Sequence, residues 1–205
     1  MKNMWNERYA HESYAYGIDP NDFFKKMVDN GTLTGEILKP TEGEGRNAVY
    51  ASKNGLDVTA FDLSEEGKKK ALKLAKIEQV EIKYEVGEFF KLPLIKHTFD
   101  SAALIYAHFP PQILSSYYKK IGQMIRLGGH VVIEGFSLGN LELREKNPEI
   151  GGPDNPEMLF TVASIKKDFP NFSIVQLEEV EVELQEGQYH NGIGKVIRFV
   201  GQKNK

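Results

Sequence analysis

Cysteine is absent from the 205-residue sequence, which excludes disulfides, zinc–thiolate sites, iron–sulfur clusters and thiol catalysis. Tryptophan occurs once. No apolar run approaches the ~18–20 residues that a membrane-crossing helix needs. Neither charge sign dominates: 26 Lys and Arg stand against 29 Asp and Glu, a net charge of −3, whereas nucleic-acid binders are usually basic. Repeats and low-complexity tracts are missing. No group of His, Asp and Glu has metal-ligand spacing, and His11-Glu12 lacks the second histidine of a zincin motif. Met1–Tyr9 is polar and aromatic, so no signal or transit peptide is expected there. What remains is a globular composition, 40% hydrophobic and 11% aromatic, in a chain long enough for one sizeable core. The expectation is a single domain over residues 1–205, cytoplasmic, monomeric or homodimeric, acting on small molecules without nucleic acid or membrane as partner.

From residue 36 two textures alternate. Short β-branched or apolar runs (Glu36–Pro40, Asp57–Asp62, Val80–Val86, Phe99–Ala107, His130–Glu134) are followed by segments with helical spacing. Ser64 caps one helix, with Glu65 and Glu66 in its first turn and lysines later, the order that a helix dipole favours. Pro110 and Pro111 open another, whose apolar face runs from Ile113 to Ile125. Residues 139–156 read as a long loop, and Glu157–Phe169 as a helix. Ser173–Leu184 and Gly194–Gln202 are strands with no helix between them, so they must pair antiparallel. The chain is therefore expected to be α/β, a doubly wound parallel sheet with helices on both faces that ends in an antiparallel hairpin.

Ligands of such sheets bind over the carboxyl ends of the strands. The first strand-to-helix turn is Thr41-Glu42-Gly43-Glu44-Gly45-Arg46-Asn47-Ala48, and its glycines allow close backbone approach. The second strand ends in Asp62, placed to bind the two ribose hydroxyls of an adenosine cofactor. Gly43-x-Gly45-x-x-Ala48 also fits the dinucleotide fingerprint. Glu42 and Glu44, however, oppose a pyrophosphate and suit a ligand bearing ammonium and sulfonium charges, as S-adenosylmethionine does. None of the nine tyrosines has Lys four residues later, so no short-chain-dehydrogenase pair exists.

These residues resemble the class I S-adenosylmethionine-dependent methyltransferases, especially the small tellurite-resistance and thiopurine type. The resemblance rests on Trp5-Asn6-Glu7-Arg8-Tyr9 with Tyr16-Gly17-Ile18-Asp19-Pro20-Asn21 at the N-terminus, Glu42–Ala48 as motif I and Phe61–Ser64 as motif II. Gly87-Glu88-Phe89 resembles the loop after strand three, Phe99-Asp100 with Tyr106-Ala107-His108 resembles motif IV, and Leu127–His130 resembles the turn into strand five. The resemblance implies a Rossmann-like sheet of order 3-2-1-4-5-7-6 with the last strand antiparallel, a helical lid over residues 1–30 and a core over 31–205. It implies S-adenosylmethionine as cofactor, with Gly43 and Gly45 at its methionine part, Asp62 at the ribose and Leu63 and Phe89 beside the adenine. Glu88 would accept from the adenine amino group, Tyr106 would sit near the sulfonium, and Tyr16 and Trp5 would close over the site, Trp5 also toward the substrate. One departure stands out: where the family has Leu-Asp-Leu-Gly-Cys-Gly-x-Gly, this chain has Leu38-Lys39-Pro40-Thr41-Glu42-Gly43-Glu44-Gly45. Glu42 is then expected to supply the negative charge that Lys39 replaces.

Methyl transfer from a sulfonium is an in-line displacement in which alignment matters most. An amine or hydroxyl acceptor needs a base, and histidine is the usual one near neutral pH. His190 in the hairpin turn is the catalytic candidate, matching a family histidine that is followed by Arg where this chain has Asn191. His108, after strand four, is a substrate-side candidate. Three other readings compete. The altered motif I fits a non-catalytic binder of S-adenosylmethionine or its product. Gly135-Phe136-Ser137-Leu138-Gly139 matches a hydrolase nucleophile elbow. The glycine turn alone also fits a dinucleotide oxidoreductase.

Overall fold

The computed structural model describes residues 2–204. Seven strands form one sheet in the order β3-β2-β1-β4-β5-β7-β6. The strands are β1 (Glu36–Pro40), β2 (Asp57–Asp62), β3 (Lys83–Val86), β4 (Phe99–Ile105), β5 (Ile125–Phe136), β6 (Phe172–Glu186) and β7 (His190–Lys203). β1 to β5 pair in parallel, and β7 runs antiparallel to both β5 and β6. The helices are α1 (Lys2–Tyr9), α2 (Asp22–Asp29), α3 (Arg46–Lys53), α4 (Glu65–Ile77), α5 (Pro111–Met124), α6 (Asn140–Lys146) and α7 (Val162–Asp168). The expected α/β sheet and strand order are both present.

β4 occupies the middle of the sheet, and Ala102, Ala103 and Leu104 are wholly buried. That explains its unbroken apolar texture, since helices cover both faces. One core lies between the sheet and α5, around Leu104, Tyr118, Ile121 and Ile133. The opposite core receives Phe23, Phe24 and Met27 from α2 and Ala48 and Ala51 from α3. Asn21 caps α2 by accepting from Phe24 N at 2.9 Å, and Ser64 caps α4 by accepting from Gly67 N at 3.0 Å. β6 is the exposed edge, studded with Glu178, Glu179, Glu181 and Glu183, charges that discourage pairing with another chain.

Several segments differ from the sequence reading. The helix expected over Glu157–Phe169 begins only at Val162, after a 3₁₀ turn at Pro156–Met158, and β5 starts at Ile125 rather than His130. Residues 140–146 are a helix, not loop. Leu141 and Leu143 pack beside Phe136 and Ile150, and buried Asn140 accepts from Lys195 N at 2.9 Å. That tertiary anchoring outweighs the charged composition. The hairpin is also longer than expected. Its strands run on to Glu186 and His190, which are directly opposed, so the turn shrinks to residues 187–189.

Thr41 sits in the left-handed region at φ +49°, where a β-branched residue is strained by about 1–3 kcal/mol. A glycine there gives back about 0.5–1 kcal/mol in chain entropy. Thr41→Gly is expected to stabilise the protein by about 1 kcal/mol, raising Tm by about 2–4 °C in thermal unfolding. A fall in Tm would mean that the Thr41 hydroxyl, which donates to Pro40 O at 2.8 Å, outweighs the strain.

Candidate functional site

A cavity of about 620 Å³ opens over the carboxyl ends of β1, β2 and β4, where this sheet changes winding direction. Its floor is the turn after β1. Gly43 adopts φ +61°, and a Cβ there would lie 2.7 Å from the Tyr9 hydroxyl, so only glycine fits beneath α1. Gly45 faces away from the cavity: a Cβ on it would lie 2.6 Å from Ala71 Cβ on α4. Its expected place beside the ligand is thus corrected to a packing role between α3 and α4.

Asp62 ends β2 at the cavity wall. Its carboxylate accepts from Gly43 N at 3.1 Å and from Ser64 N at 2.9 Å. Burial raises its pKa to about 6, against the lowering effect of those amides. Beside it the cavity is apolar, lined by Phe61, Leu63, Phe89, Phe109 and Ile113. Phe89 stacks on Phe61 with centroids 5.0 Å apart. Glu88 is not part of this wall. It is exposed and pairs with Lys91 at 2.5 Å, because the 3₁₀ turn Phe89–Lys91 turns Phe89 inward and Glu88 out.

The two turn acids are also redirected. Glu42 accepts from Ala48 N at 2.7 Å and lies 3.4 Å from Lys39 Nζ. Lys39 is buried, donates to Ala103 O and lies over the Phe24 ring, and burial lowers its pKa against the pull of Glu42. Glu44 accepts from Ala15 N at 2.7 Å and pairs with Lys70 at 2.6 Å. Both carboxylates border the cavity but are neutralised by lysines of the chain itself. The expectation that Glu42 supplies a free charge to a ligand ammonium does not hold, nor does the repulsion once read against a phosphate.

The other end of the cavity carries Tyr16, Tyr106 and His190. Tyr106 lies at φ +51°, and its ring packs against His190 with centroids 4.5 Å apart. Tyr16 flanks the other side at 4.6 Å. His190 Nδ1 lies 2.8 Å from Glu186 Oε2. Burial holds the ring below its usual pKa, against the raising effect of Glu186, so the imidazole is neutral at neutral pH. Glu186 also pairs with Arg46 Nη2 at 2.8 Å. Burial pushes its carboxyl up, but Arg46 and His190 prevail and bring it to about 2. Sequence reading missed Glu186; its only signal was the spacing to His190 across a glycine turn.

His108 borders the cavity, but both ring nitrogens are committed. Nδ1 donates to Met158 O at 2.8 Å, and Nε2 accepts from Phe136 N at 3.0 Å. Burial drives its pKa down to about 4. The substrate-side candidate is therefore corrected to a structural histidine stacked on Phe160.

The mouth is framed by α1 and the segment 13–17. Trp5 stacks on Tyr9, and Arg8 reaches over Tyr189 while donating to the Tyr16 hydroxyl at 2.8 Å. Gln188 N donates to Ala15 O at 2.8 Å, so the hairpin turn and the N-terminal segment are joined. Among the described residues, no group of three or more His, Asp or Glu could hold a metal ion, and no helix is long and apolar enough to cross a membrane.

Ser137, the middle of the nucleophile-elbow match, has no solvent exposure, and its Oγ has no hydrogen-bond partner among the described residues. It does not line the cavity, which removes the hydrolase reading. Leaving a buried hydroxyl unpaired costs about 1–3 kcal/mol. Ser137→Ala is expected to stabilise the fold by about 1 kcal/mol, seen as a higher midpoint in urea unfolding, without loss of ligand binding. A destabilised variant would mean that the hydroxyl has a partner, such as an ordered water.

Comparison with curated proteins finds no match. Among solved structures, the chain superposes on a protein studied for conversion of a disulfide bond into a thioacetal group during echinomycin biosynthesis. That pair has TM-score 0.79 and 17% identity over 100% of this chain and 92% of the other. TehB from Haemophilus influenzae gives TM-score 0.71 and 16% identity over 99% of this chain and 67% of its own. The N-methyltransferase NodS from Bradyrhizobium japonicum WM9, solved with S-adenosyl-L-homocysteine, gives 0.71 and 12% over 100% and 98%. Residues 37–129, from β1 into β5 and including the cavity floor and Asp62, match the family described as the methyltransferase domain.

Proposed function

We propose that the protein transfers a methyl group from S-adenosylmethionine to a small-molecule acceptor, within a single domain in which α1 and the segment 13–17 close over the site, whereas α2, expected as part of the lid, packs on the sheet instead. The observation that carries the reading is one continuous cavity with an acid and an apolar slot at one end and a neutral, oriented histidine at the other. The residues fit the cofactor. Asp62 offers ionised oxygens to two ribose hydroxyls, and Leu63 and Phe89 offer apolar surface to a purine. Gly43 borders the cavity without a side chain to obstruct the methionine part, its N–H held by Asp62 and its carbonyl by Tyr84. When bound, the cofactor supplies an electrophilic methyl on a sulfonium.

The chain's own residues do the rest. The aromatic faces of Tyr16 and Tyr106 exclude water and narrow the approach to the methyl, as in-line attack requires. His190 Nε2 takes the acceptor's proton where the nucleophile is an amine or hydroxyl. Trp5 and Tyr16 bound the mouth and restrict the acceptor's size. The methyltransferase-domain match and the S-adenosylhomocysteine bound to NodS support this reading.

Calorimetric titration with S-adenosylhomocysteine, followed by incubation of labelled S-adenosylmethionine with pools of small amines, phenols and thiols, tests it. Binding and label transfer are expected. Binding without transfer to any pool would favour the non-catalytic binder. Binding of NAD in place of S-adenosylhomocysteine would overturn the reading.

A further inference from the structure

The hairpin end holds a polar group that methyl transfer itself does not call for. Glu186 is the last residue of β6 and His190 the first of β7, and their Cα atoms are opposed across a three-residue turn. Cross-strand partners project to the same side of a sheet, which brings the Glu186 carboxylate to 2.8 Å from Nδ1. Both oxygens of that carboxylate are held. Oε2 is shared between His190 and Arg46 Nη2 at 2.8 Å, and Oε1 accepts from Asn21 Nδ2 at 3.0 Å. Asn21 in turn donates to Glu134 Oε1 at 2.7 Å, and Glu134 Oε2 pairs with Arg198 at 2.6 Å. Three side chains, from β7, α3 and the cap of α2, thus fix one oxygen pair, and β5 holds the last of them in turn.

We propose that Glu186 is the positioning residue of the His190 base: it accepts a hydrogen bond from Nδ1–H across the hairpin turn and so leaves Nε2 unprotonated toward the cavity. This rests on the reading of His190 as the base. An ionised carboxylate can only accept, so Nδ1 must be the protonated nitrogen of a neutral ring. Nε2 has no partner among the described residues, yet it is not one of the fully buried polar atoms left unpaired, and His190 lines the cavity. The second ring nitrogen is therefore a lone pair open to that cavity, while Gly151 packs on the Cδ2 edge, where a Cβ would stand 2.9 Å away. The orientation logic is that of a base held by a third group.

Several charges face the ring. Glu186 from β6 raises its pKa, whereas Arg46 from α3 and Arg8 from α1 lower it. Tyr16 and Tyr106 pack on it as neutral phenols, their pKa values raised by burial. His108 is its other titratable neighbour, itself held neutral by burial. Behind Tyr106 lies Glu134, already paired with Arg198.

Long-range proton–nitrogen correlation spectra of the imidazole groups in the intact protein, with His190→Gln to assign the signals, provide the test. In the wild type, the His190 signals are expected to show a protonated Nδ1 and an unprotonated Nε2. In Glu186→Gln that preference is expected to collapse to a mixture of the two tautomers. The ring's pKa should fall further, because Arg46 and Arg8 remain without the opposing acid. Glu186→Asp, which keeps the charge, should restore most of the preference.

An Nε2–H tautomer in the wild type, or an unchanged Nδ1–H fraction in Glu186→Gln, overturns the proposal. Should Glu186→Gln leave Arg46 stranded and fail to fold, Glu186→Gln with Arg46→Met removes both charges and is read in the same way. These spectra need neither cofactor nor acceptor. A fixed Nδ1–H tautomer in a protein that does not bind S-adenosylhomocysteine would defeat the functional reading alone. Binding with the wrong tautomer would defeat this proposal alone.

Discussion

Asp62→Ala is expected to weaken S-adenosylhomocysteine binding by about 10²–10⁴-fold in calorimetric titration. Two ribose hydroxyls on one carboxylate are charge-assisted bonds of about 1.5–3 kcal/mol each, and alanine supplies neither. The substitution also strands Gly43 N and Ser64 N, so circular dichroism must show that the variant is folded at the titration temperature. A loss of less than threefold would remove Asp62 from the ligand site.

The pH dependence gives a second readout on the wild type. The carboxyl titrates near 6, and its ionised form is the better acceptor for two hydroxyls. Affinity should therefore be flat above pH 7 and fall by up to about tenfold per unit below 6. Binding at pH 6 should release a proton, seen as a buffer-dependent heat. Folding has the opposite sign. The folded chain holds this proton more tightly than the unfolded one, whose value is 3.8. The group's cost to stability is therefore present in full above pH 6 and relieved as the pH falls toward 4.

The second large effect is expected at His190. His190→Gln should slow transfer to an amine or hydroxyl acceptor by about 10²–10⁴-fold, while S-adenosylhomocysteine affinity falls less than tenfold. Burial keeps the ring neutral at and above its ordinary value of 6.5, so wild-type transfer should hold constant there. Below the ring's lowered pKa it should drop about tenfold per unit at saturating cofactor, a condition that removes the Asp62 effect on affinity, and the glutamine variant should lack that limb. A transfer rate that survives the substitution would mean an acceptor that attacks as a ready-made anion, such as a thiolate, with no base needed. Initial rates with an acceptor from the labelled pools, at pH 5 to 8, separate the two cases.

Much of this architecture was legible in the chain. The apolar run at Phe99–Ala107 could only be a central strand. The want of a helix between the last two strands forced an antiparallel hairpin, and Ser64 with its two glutamates marked the start of α4. The glycine turn and Asp62 were legible because both lie on one short stretch with fixed spacing.

What was hidden depended on residues distant in sequence. The fate of Glu44 was decided by Lys70 and by Ala15 N, neither of which a local pattern exposes. Lys39, three residues from Glu42, was read as a lost acid when it is that acid's partner. His108 seemed free because its two partners are backbone groups of Phe136 and Met158. His190 was found, but its orienting acid was not. Counting turn-rich residues set the strand ends too early and left Glu186 and His190 in a loop rather than face to face. The charged text of α6 hid a helix that tertiary anchoring sustains.

Arg46 belongs to α3, the helix that follows the glycine turn, yet its side chain reaches the hairpin to meet Glu186 and, on the N-terminal segment, the carbonyl of Tyr16. Hairpins that edge a sheet look like interchangeable parts, the natural place to graft new acceptor preference. Here the graft would take half of a buried ion pair with it, and removing one partner of such a pair costs about 3–5 kcal/mol. Any redesign of acceptor choice must transplant the arginine's partner along with the loop, or replace both ends together.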